Sequence, residues 1–149
     1  MKIYKSKKSK RLNTVFFFTF ILIIGATIPS LINDVESVFY IVIGINLLTL
    51  ILLLSIALKT EYKIDKNFLY YQSGPFFGKI LISSITKIQH HNGIFVPTVC
   101  KPALSQVGLI ITYNKYDTIY ISPLEEEDFI QHILEINPKI EIHQIPISI

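Results

Sequence analysis

The side chains best suited to chemistry in this chain are its four histidines and its single cysteine. Adjacent residues on a strand point to opposite faces, so His90 and His91 cannot readily chelate one metal while the strand persists. Nothing in the sequence brings His132 or His143 to either of them. Cys100 lacks the ordered histidine partner that an activated thiolate requires, and no phosphate loop, serine-nucleophile elbow or paired-carboxylate motif is present. We therefore predict no catalytic residue, no metal site and no cofactor, and we expect that the protein is not an enzyme.

Composition and charge narrow the function classes further. Half of the residues are apolar, 17% are charged and the mean hydropathy is +0.48, which excludes a disordered chain and exceeds the apolar content of an average soluble domain. Residues 1–58 contain six cations and two carboxylates, whereas residues 59–149 contain eight lysines and nine carboxylates. The C-terminal part is therefore not basic, which argues against nucleic-acid binding. An anionic-lipid binder is the weaker alternative there, because Asp65 interrupts the lysines at 63 and 66.

Two uncharged apolar runs predict two transmembrane helices, at residues 14–32 and 37–58. At about 1.5 Å per residue, each run reaches the ~30 Å thickness of a hydrocarbon core. The connection Asn33–Glu36 is short enough to make the helices antiparallel, and cations flank the pair but are missing from the connection. Since cations near span ends are retained inside, we predict a multi-pass protein of the cell membrane with both termini in the cytoplasm. A signal peptide at Val15–Ile28 is the rival interpretation, although no clear cleavage site follows it.

Several residues in and before these runs have predicted contacts. Gly25 and Gly44 lie at similar depth, where small residues would let the two helix backbones approach closely. For the polar Asn46 we favour a hydrogen bond across the helix pair over a dimer or ligand contact. We expect residues 1–13 to form a basic cytoplasmic tail that lies on anionic headgroups. Its candidate lipid-facing cations are Lys5, Lys7, Lys8, Lys10 and Arg11.

From residue 59 onward, short runs of alternating polar and apolar residues separated by turn residues predict antiparallel strands. The segment at 74–78 contains two glycines and a proline and is predicted to be a turn. The predicted strands lie at 61–65, 68–72, 79–83, 85–90, 107–113 and 117–121. We expect the first two and the last two of these strands to form hairpins.

The periodicity then changes to about 3.6 residues, which predicts one amphipathic helix that ends at Asn137–Pro138. Ser122 and Glu125 have the spacing of a capping box at its start. The apolar stripe of this helix consists of Phe129, Ile130, Ile133, Leu134 and Ile136. We assign residues 59–140 to one cytoplasmic domain, and residues 141–149 to a C-terminal tail or an edge strand able to pair with another strand.

The C-terminal part also resembles a known family. The residues that carry the likeness include Pro102–Ser105, Gly108–Tyr113, Ile121–Pro123, Phe129 and Asn137–Pro138. They resemble the small bacterial membrane proteins with a YyaB-like PH (pleckstrin-homology) domain, in which a two-span hairpin precedes a domain of this size. The resemblance implies a two-span α-helical membrane hairpin followed by a mainly-β PH-like domain, a bent antiparallel sandwich or barrel capped by a C-terminal helix. It implies no catalytic residue, because the family has none assigned.

The loop at 92–101 is the main candidate interaction site. Ile94, Phe95, Val96 and Val99 are apolar in a segment outside the strands, so the loop either tucks over the sandwich or contacts lipid or a partner. We predict a scaffold or interaction module, integral to the lipid bilayer, that binds a protein or peptide or self-associates and binds no nucleic acid. The alternative is a membrane-resident immunity or stress-resistance protein that acts through its spans.

Overall fold

A computed structural model describes residues 1–32, 36–93 and 95–143. Its helices are α1 (Lys10–Ile32), α2 (Glu36–Leu58) and α3 (Glu126–Ile136). Its strands are β1 (Lys2–Lys5), β2 (Thr60–Ile64), β3 (Phe68–Ser73), β4 (Phe76–Leu81), β5 (Ile85–Asn92), β6 (Val107–Tyr113), β7 (Asp117–Ile121) and β8 (Glu141–His143). A short 3-10 turn at Ile82–Ser84 separates β4 from β5.

The described strands form two four-stranded sheets that enclose the core. The first sheet has the order β1-β2-β3-β4, and each neighbouring pair is antiparallel. The second has the order β7-β6-β5-β8, with β8 parallel to β5. Side chains from both sheets pack together with one face of α3; the fully buried ones include Tyr62, Leu69, Leu109, Ile111, Ile119 and Phe129. The domain is therefore mainly β and is closed by its C-terminal helix, as the sequence predicts.

The N-terminal residues belong to the first sheet and are not a free tail. β1 pairs antiparallel with β2, and the amide of Ser6 donates to the carbonyl of Thr60 at 3.2 Å. The Tyr4 side chain is buried, and its ring meets the Phe129 ring edge-on with 5.1 Å between centroids. The prediction that residues 1–13 form a tail is therefore wrong for β1, because pairing with β2 and burial of Tyr4 stabilise this segment in the sheet.

Two turns connect strands of the first sheet, one between β2 and β3 and one between β3 and β4. β2 and β3 form the predicted hairpin around Lys66–Asn67. Gly74, in the turn between β3 and β4, has φ +58°, a conformation that favours glycine. A Cβ at Gly74 would lie 2.9 Å from Cγ1 of Ile56, so the turn packs directly against α2. β4 begins at Phe76, earlier than predicted, because its first residues continue the ladder with β3.

The start of α3 differs from the prediction. Ser122 is buried, and its Oγ lies 3.0 Å from Oγ of Ser6 instead of capping the helix. The helix begins at Glu126, without a side-chain capping bond. The capping-box prediction is wrong because β1 brings a buried hydroxyl partner to Ser122. The predicted apolar stripe is confirmed; its buried residues are Phe129, Ile130 and Ile133.

The residue that follows α3 hydrogen-bonds to the connection between β4 and β5, where the chain passes from the first sheet to the second. Asn137 donates from Nδ2 to the carbonyl oxygens of Ile82 and Ile85, at 3.0 and 3.2 Å. Residues 141–143 then form β8, which is the edge strand that was one of two possibilities for residues 141–149. The remainder of that segment lies outside the described residues.

The helices α1 and α2 lie side by side. Residues 16–23 of α1 and 50–57 of α2 line the cleft between them, so the beginning of one helix faces the end of the other and the pair is antiparallel. Within the described residues, Tyr40–Leu58 is long and apolar enough to cross a membrane, and Thr14–Gly25 is a shorter apolar segment. The first predicted span therefore stays a prediction. The connection at 33–35 lies outside the described residues.

Candidate interaction surface

The adjacent histidines of β5 point in opposite directions, as the strand geometry predicts. His90 reaches α3, where its Nδ1 lies 2.6 Å from Oε1 of Glu126. The His91 ring instead meets the Tyr120 ring edge-on, with 5.8 Å between centroids. Across the described ranges 1–32, 36–93 and 95–143, no three histidine, cysteine or acidic side chains come together as metal ligands. These histidines therefore make contacts between elements.

Cys100 lies at a contact between the two sheets. It forms a parallel bridge with Ile119, and its carbonyl oxygen accepts from the amide of Tyr120 at 2.9 Å, so the loop before β6 covers the edge of β7. Its side chain packs partly buried against the core beside Tyr71 of the first sheet. The pKa of Tyr71 is raised to about 12, mainly by burial and secondly by the nearby Cys100 thiol. The cysteine thus helps to close the sandwich at this edge.

The predicted interaction residues of the loop at 92–101 have different environments. Val96 is buried against Ile110 in a small cluster separate from the main core. Phe95 and Val99 are exposed, at 83% and 103% of their full accessibility. Ile94 lies outside the described residues. Of the predicted interaction residues, Val96 therefore packs on the second sheet, while Phe95 and Val99 are presented to the surroundings.

A buried polar junction connects Ser6, which follows β1, with Tyr62 of β2 and with the segment at 102–104. The Tyr62 hydroxyl donates to the carbonyl of Pro102 at 2.6 Å and accepts from the amide of Ser122 at 3.0 Å. The amide of Leu104 donates to Oγ of Ser6 and Oγ of Ser122, at 3.3 and 3.2 Å. Burial raises the pKa of Tyr62, so its hydroxyl remains a donor. Because an unpaired buried polar group is costly, this junction holds the chain firmly where α1 departs.

The N-terminal lysines divide between the sheet and the approach to α1. Lys2 donates to Oδ2 of Asp128 at 2.6 Å, and this hydrogen bond raises the pKa of Lys2 and lowers that of Asp128. The predicted lipid-facing cations with described side chains are all exposed; they are Lys5, Lys7, Lys8 and Lys10. The side chain of Arg11 lies outside the described residues. Contact of these cations with lipid stays a prediction.

The helix contact differs from the prediction at its glycines. Among the described residues, a Cβ placed on Gly25 or Gly44 would have no atom of another element within 4 Å. The predicted close contact at these glycines is therefore absent from the described residues, and the cleft that Phe20 and Leu50 line lies nearer the start of α1 and the end of α2. Asn46 donates from Nδ2 to the carbonyl of Ile23 at 3.4 Å, which is the predicted hydrogen bond across the pair.

The four sheet edges are unequally protected. The segment at 122–124 covers β1, with Lys7 N donating to Ser122 O at 2.7 Å and Leu124 N donating to Lys5 O at 2.9 Å. The loop around Cys100 covers β7. Within the described residues, β4 and β8 have no strand on their outer side. Of these two open edges, β4 is the longer, and unpaired backbone groups along it can accept another strand.

The outer face of the first sheet carries a shallow groove of about 560 Å³ next to β4. Its floor is formed by two cross-strand pairs, Tyr70 with Lys79 and Gln72 with Phe77. At one side Lys63 pairs with Glu61, with 2.8 Å between Nζ and Oε1. An extended segment could therefore hydrogen-bond to β4 and place alternate apolar side chains in this groove.

Two adjacent phenylalanines lie at the start of β4, after a turn that contacts α2. Phe76 and Phe77 are 64% and 82% exposed, and the preceding Gly74 packs against Ile56. Neither phenylalanine was among the predicted site residues, because the segment at 74–78 was assigned to a turn. The available signal was the pair of large apolar side chains directly after a Gly-Pro turn, where polar residues are usual.

Comparison with protein families gives two matches, each to a family described as a bacterial PH domain. One covers residues 60–137, from β2 through α3. The other covers residues 18–93 and includes most of α1, all of α2 and the strands to the end of β5. No curated protein and no solved structure matches the chain. The matches agree with the PH-like fold predicted from the sequence.

Proposed function

Because this chain belongs to the bacterial PH-domain family, we propose that it is a non-catalytic interaction module held at the cytoplasmic face of the cell membrane by a two-span helical hairpin. The observation that carries the proposal is the pairing of β1 with β2, since these neighbouring strands lie on either side of the helix pair in sequence. PH domains of this kind are generally binding modules, and the described side chains present no catalytic constellation.

The strand pairing supports an even number of membrane crossings. Ser6 and Thr60 are joined by a hydrogen bond, so the chain leaves the domain and returns to it at one place. If α2 crosses the bilayer once, the chain can return to that place only if α1 crosses it as well. The absence of charged side chains from residues 14–32 is compatible with that crossing. Exposed lysines at the departure point favour the cytoplasm as the side that holds the domain.

We propose the open edge of β4 and the adjoining groove as the binding surface for a protein segment. Addition of an extended segment to β4 would satisfy the unpaired backbone groups of the edge. Tyr70 offers apolar surface in the groove, and Lys79 offers a positive charge at its rim. A segment with alternating apolar residues and an acidic residue fits this surface best. Phosphoinositide-like binding at the first hairpin fits less well, because Lys63 is already paired with Glu61.

Single-cysteine labelling in intact cells tests the anchor. In a Cys100→Ser background, a cysteine replacing Tyr116, which is 80% exposed in the turn between β6 and β7, should react with an impermeant thiol reagent only after the cells are opened. A cysteine replacing Asp34, in the connection predicted to lie outside, should react in intact cells. Labelling of both positions from outside, or of neither, would contradict the proposed arrangement.

Photo-cross-linking in native membranes tests the binding surface. A photoreactive residue replacing Leu81, which is exposed on β4, should form an adduct with another protein, whereas the same residue replacing Tyr116 should not. The adduct should disappear when Tyr70→Asp places a carboxylate on the floor of the groove. Equal adducts at positions 81 and 116, or an adduct insensitive to Tyr70→Asp, would exclude β4 as the binding site.

A further inference from the structure

We propose that the turn between β3 and β4 enters the headgroup region of the bilayer, with Phe76 and Phe77 in contact with lipid, and thereby holds the domain in one orientation on the membrane. The inference rests on the proposed function in one respect, namely that α2 spans the membrane. It adds a second membrane contact, made by the domain itself, to the contact made by the helices.

The depth of the turn follows from its contact with α2. Gly74 packs against the backbone and side chain of Ile56, which precedes Lys59 by three residues. The amide of Gly74 also donates to the carbonyl of Lys59 at 3.2 Å, so the turn lies beside the last turn of α2. Ile56 belongs to the apolar segment Tyr40–Leu58, so the turn stands level with the last residues of the candidate span.

The position of the two phenylalanines is set by that contact. φ at Gly74 is positive, and a Cβ there would lie 2.9 Å from Ile56, so the turn is closely fitted to the helix. Phe76 and Phe77 follow after Pro75 and are largely exposed to the surroundings of the chain. At the edge of a bilayer those surroundings are lipid, and exposed phenylalanine side chains are apolar groups that partition there.

The charges around the turn fit an anionic membrane surface. Lys59 is exposed where α2 ends, and Lys7 and Lys8 are exposed where the chain leaves the sheet for α1. The hydrogen bond between Ser6 and Thr60 places these cations close together at the same end of the domain as the turn. Cations beside apolar side chains are the usual composition of a surface that binds anionic lipid.

This orientation also determines how the open edge is presented. β4 starts at Phe76, just after the turn that contacts α2, and ends at Leu81, at the opposite end of the sheet. At ~3.3 Å per residue the two ends of the strand lie about 17 Å apart. The far end of β4 leads into the 3-10 turn, and the turn between β6 and β7 lies beside it, with Asn114 N donating to Ser84 O at 2.9 Å. That end would face the cytosol.

Fluorescence quenching of the full-length protein in vesicles tests the inference. Single cysteines replacing Phe76, Phe77, Tyr116 and Leu47 are introduced in the Cys100→Ser background, labelled with an environment-sensitive fluorophore, and reconstituted into phosphatidylcholine vesicles with and without phosphatidylglycerol. Each of these side chains is exposed, so the substitutions leave the core intact. Labels at positions 76 and 77 should emit at shorter wavelength than the label at 116, and a quencher on the upper part of the lipid chains should quench them more strongly.

The label at position 47, within α2, separates the two proposals. If a deep lipid quencher reaches position 47 while positions 76 and 77 behave like 116, the turn stays in water and only this inference is overturned. If no lipid quencher reaches position 47, the helical anchor itself is wrong and the inference fails with it. Labels at 76 and 77 that are shielded from both aqueous and lipid quenchers would assign the surface to a second copy of the chain and would also overturn the lipid contact.

Discussion

The two ends of the chain both form edge strands, yet the domain holds them very differently. At the N-terminus β1 contributes Tyr4, which is 2% exposed, and its hydroxyl lies 3.1 Å from Nδ1 of His132 on α3. At the C-terminus all three residues of β8 are exposed, and the strand is attached through its ladder with β5 and through the preceding buried Ile140. β1 is thus part of the core, whereas β8 is an attachment to the outside of a sheet.

This difference changes how the helices relate to the domain. Because β1 belongs to the core, α1 and α2 are inserted between two neighbouring strands of one sheet. The sheet can therefore be completed only when the chain on both sides of the helix pair is in place. A free N-terminal tail would have allowed the domain to fold from the residues after α2 alone.

The largest expected effect is that of Tyr4→Ala. Truncating this large buried aromatic side chain should lower the free energy of unfolding by about 3–5 kcal/mol, since it leaves a cavity against Phe129. Urea unfolding in detergent micelles, followed by near-UV circular dichroism, measures the loss. Ile3→Ala on the same strand is the control, because Ile3 is half exposed and should change stability by about 0.5 kcal/mol or less. Equal losses for the two variants would mean that β1 is not part of the core.

Tyr62→Phe should have the next largest effect, because it removes the hydroxyl from the junction that follows β1. The amide of Ser122 would lose its acceptor and the carbonyl of Pro102 its donor, at a cost of about 1–3 kcal/mol. The same unfolding measurement applies. Tyr116→Phe, at an exposed position, should leave stability unchanged. A neutral result at Tyr62 would show that the junction does not hold β1 in place.

Alkaline pH should weaken the N-terminal attachment. The pKa of Tyr4 is raised to about 12, mainly by burial and secondly by its hydrogen bond with Asp128. A tyrosine in an unfolded chain ionises near pH ~10. The stability that the protonated hydroxyl contributes is therefore complete below pH ~10 and is lost as the pH rises toward 12. Melting temperatures measured across this range should fall less steeply for Tyr4→Phe than for the unmodified protein. Burial also raises the pKa of Tyr71 and Tyr120 to about 12, so some of the decrease should remain.

The smallest expected effect is that of removing β8. Truncation after Ile140 should cost about 1 kcal/mol or less, because the removed residues with described side chains are exposed. Truncation after Lys139 is the matched comparison; it also removes the buried Ile140 and should cost more. Size-exclusion chromatography of the same variants tests self-association through residues 141–149. An unchanged oligomeric state after truncation would exclude that hypothesis.

The sequence predicted the parts of the fold that depend on near neighbours. Alternating residues in β6 and β7 gave the observed bounds of that hairpin, and the stripe through Phe129 and Ile133 identified the buried face of α3. These patterns are local, because the polarity of each side chain and its position along one element decide which face is buried.

The errors share one cause, which is the influence of partners distant in sequence. β1 is short and rich in lysine, and it became a strand because β2 lies beside it, more than fifty residues along the chain. Ser122 had the spacing of a helix cap, but Ser6 and Tyr62 provided other hydrogen-bond partners. Gly25 and Gly44 match in depth, yet a Cβ on either would meet no described atom of another element within 4 Å.

By itself the sequence determined the apolar character of the two helices, the mainly-β class of the domain and the absence of recognisable catalytic motifs, because composition and periodicity depend only on the order of residues. The tertiary structure alone decided that β1 and β2 pair although the helix pair separates them in sequence, that β4 has no described strand on its outer side and that Gly74, just before Phe76 and Phe77, packs against α2. These features depend on which distant segments meet, and the meeting is determined by the burial of side chains such as Tyr4 and by the pairing of backbone groups across the sheets.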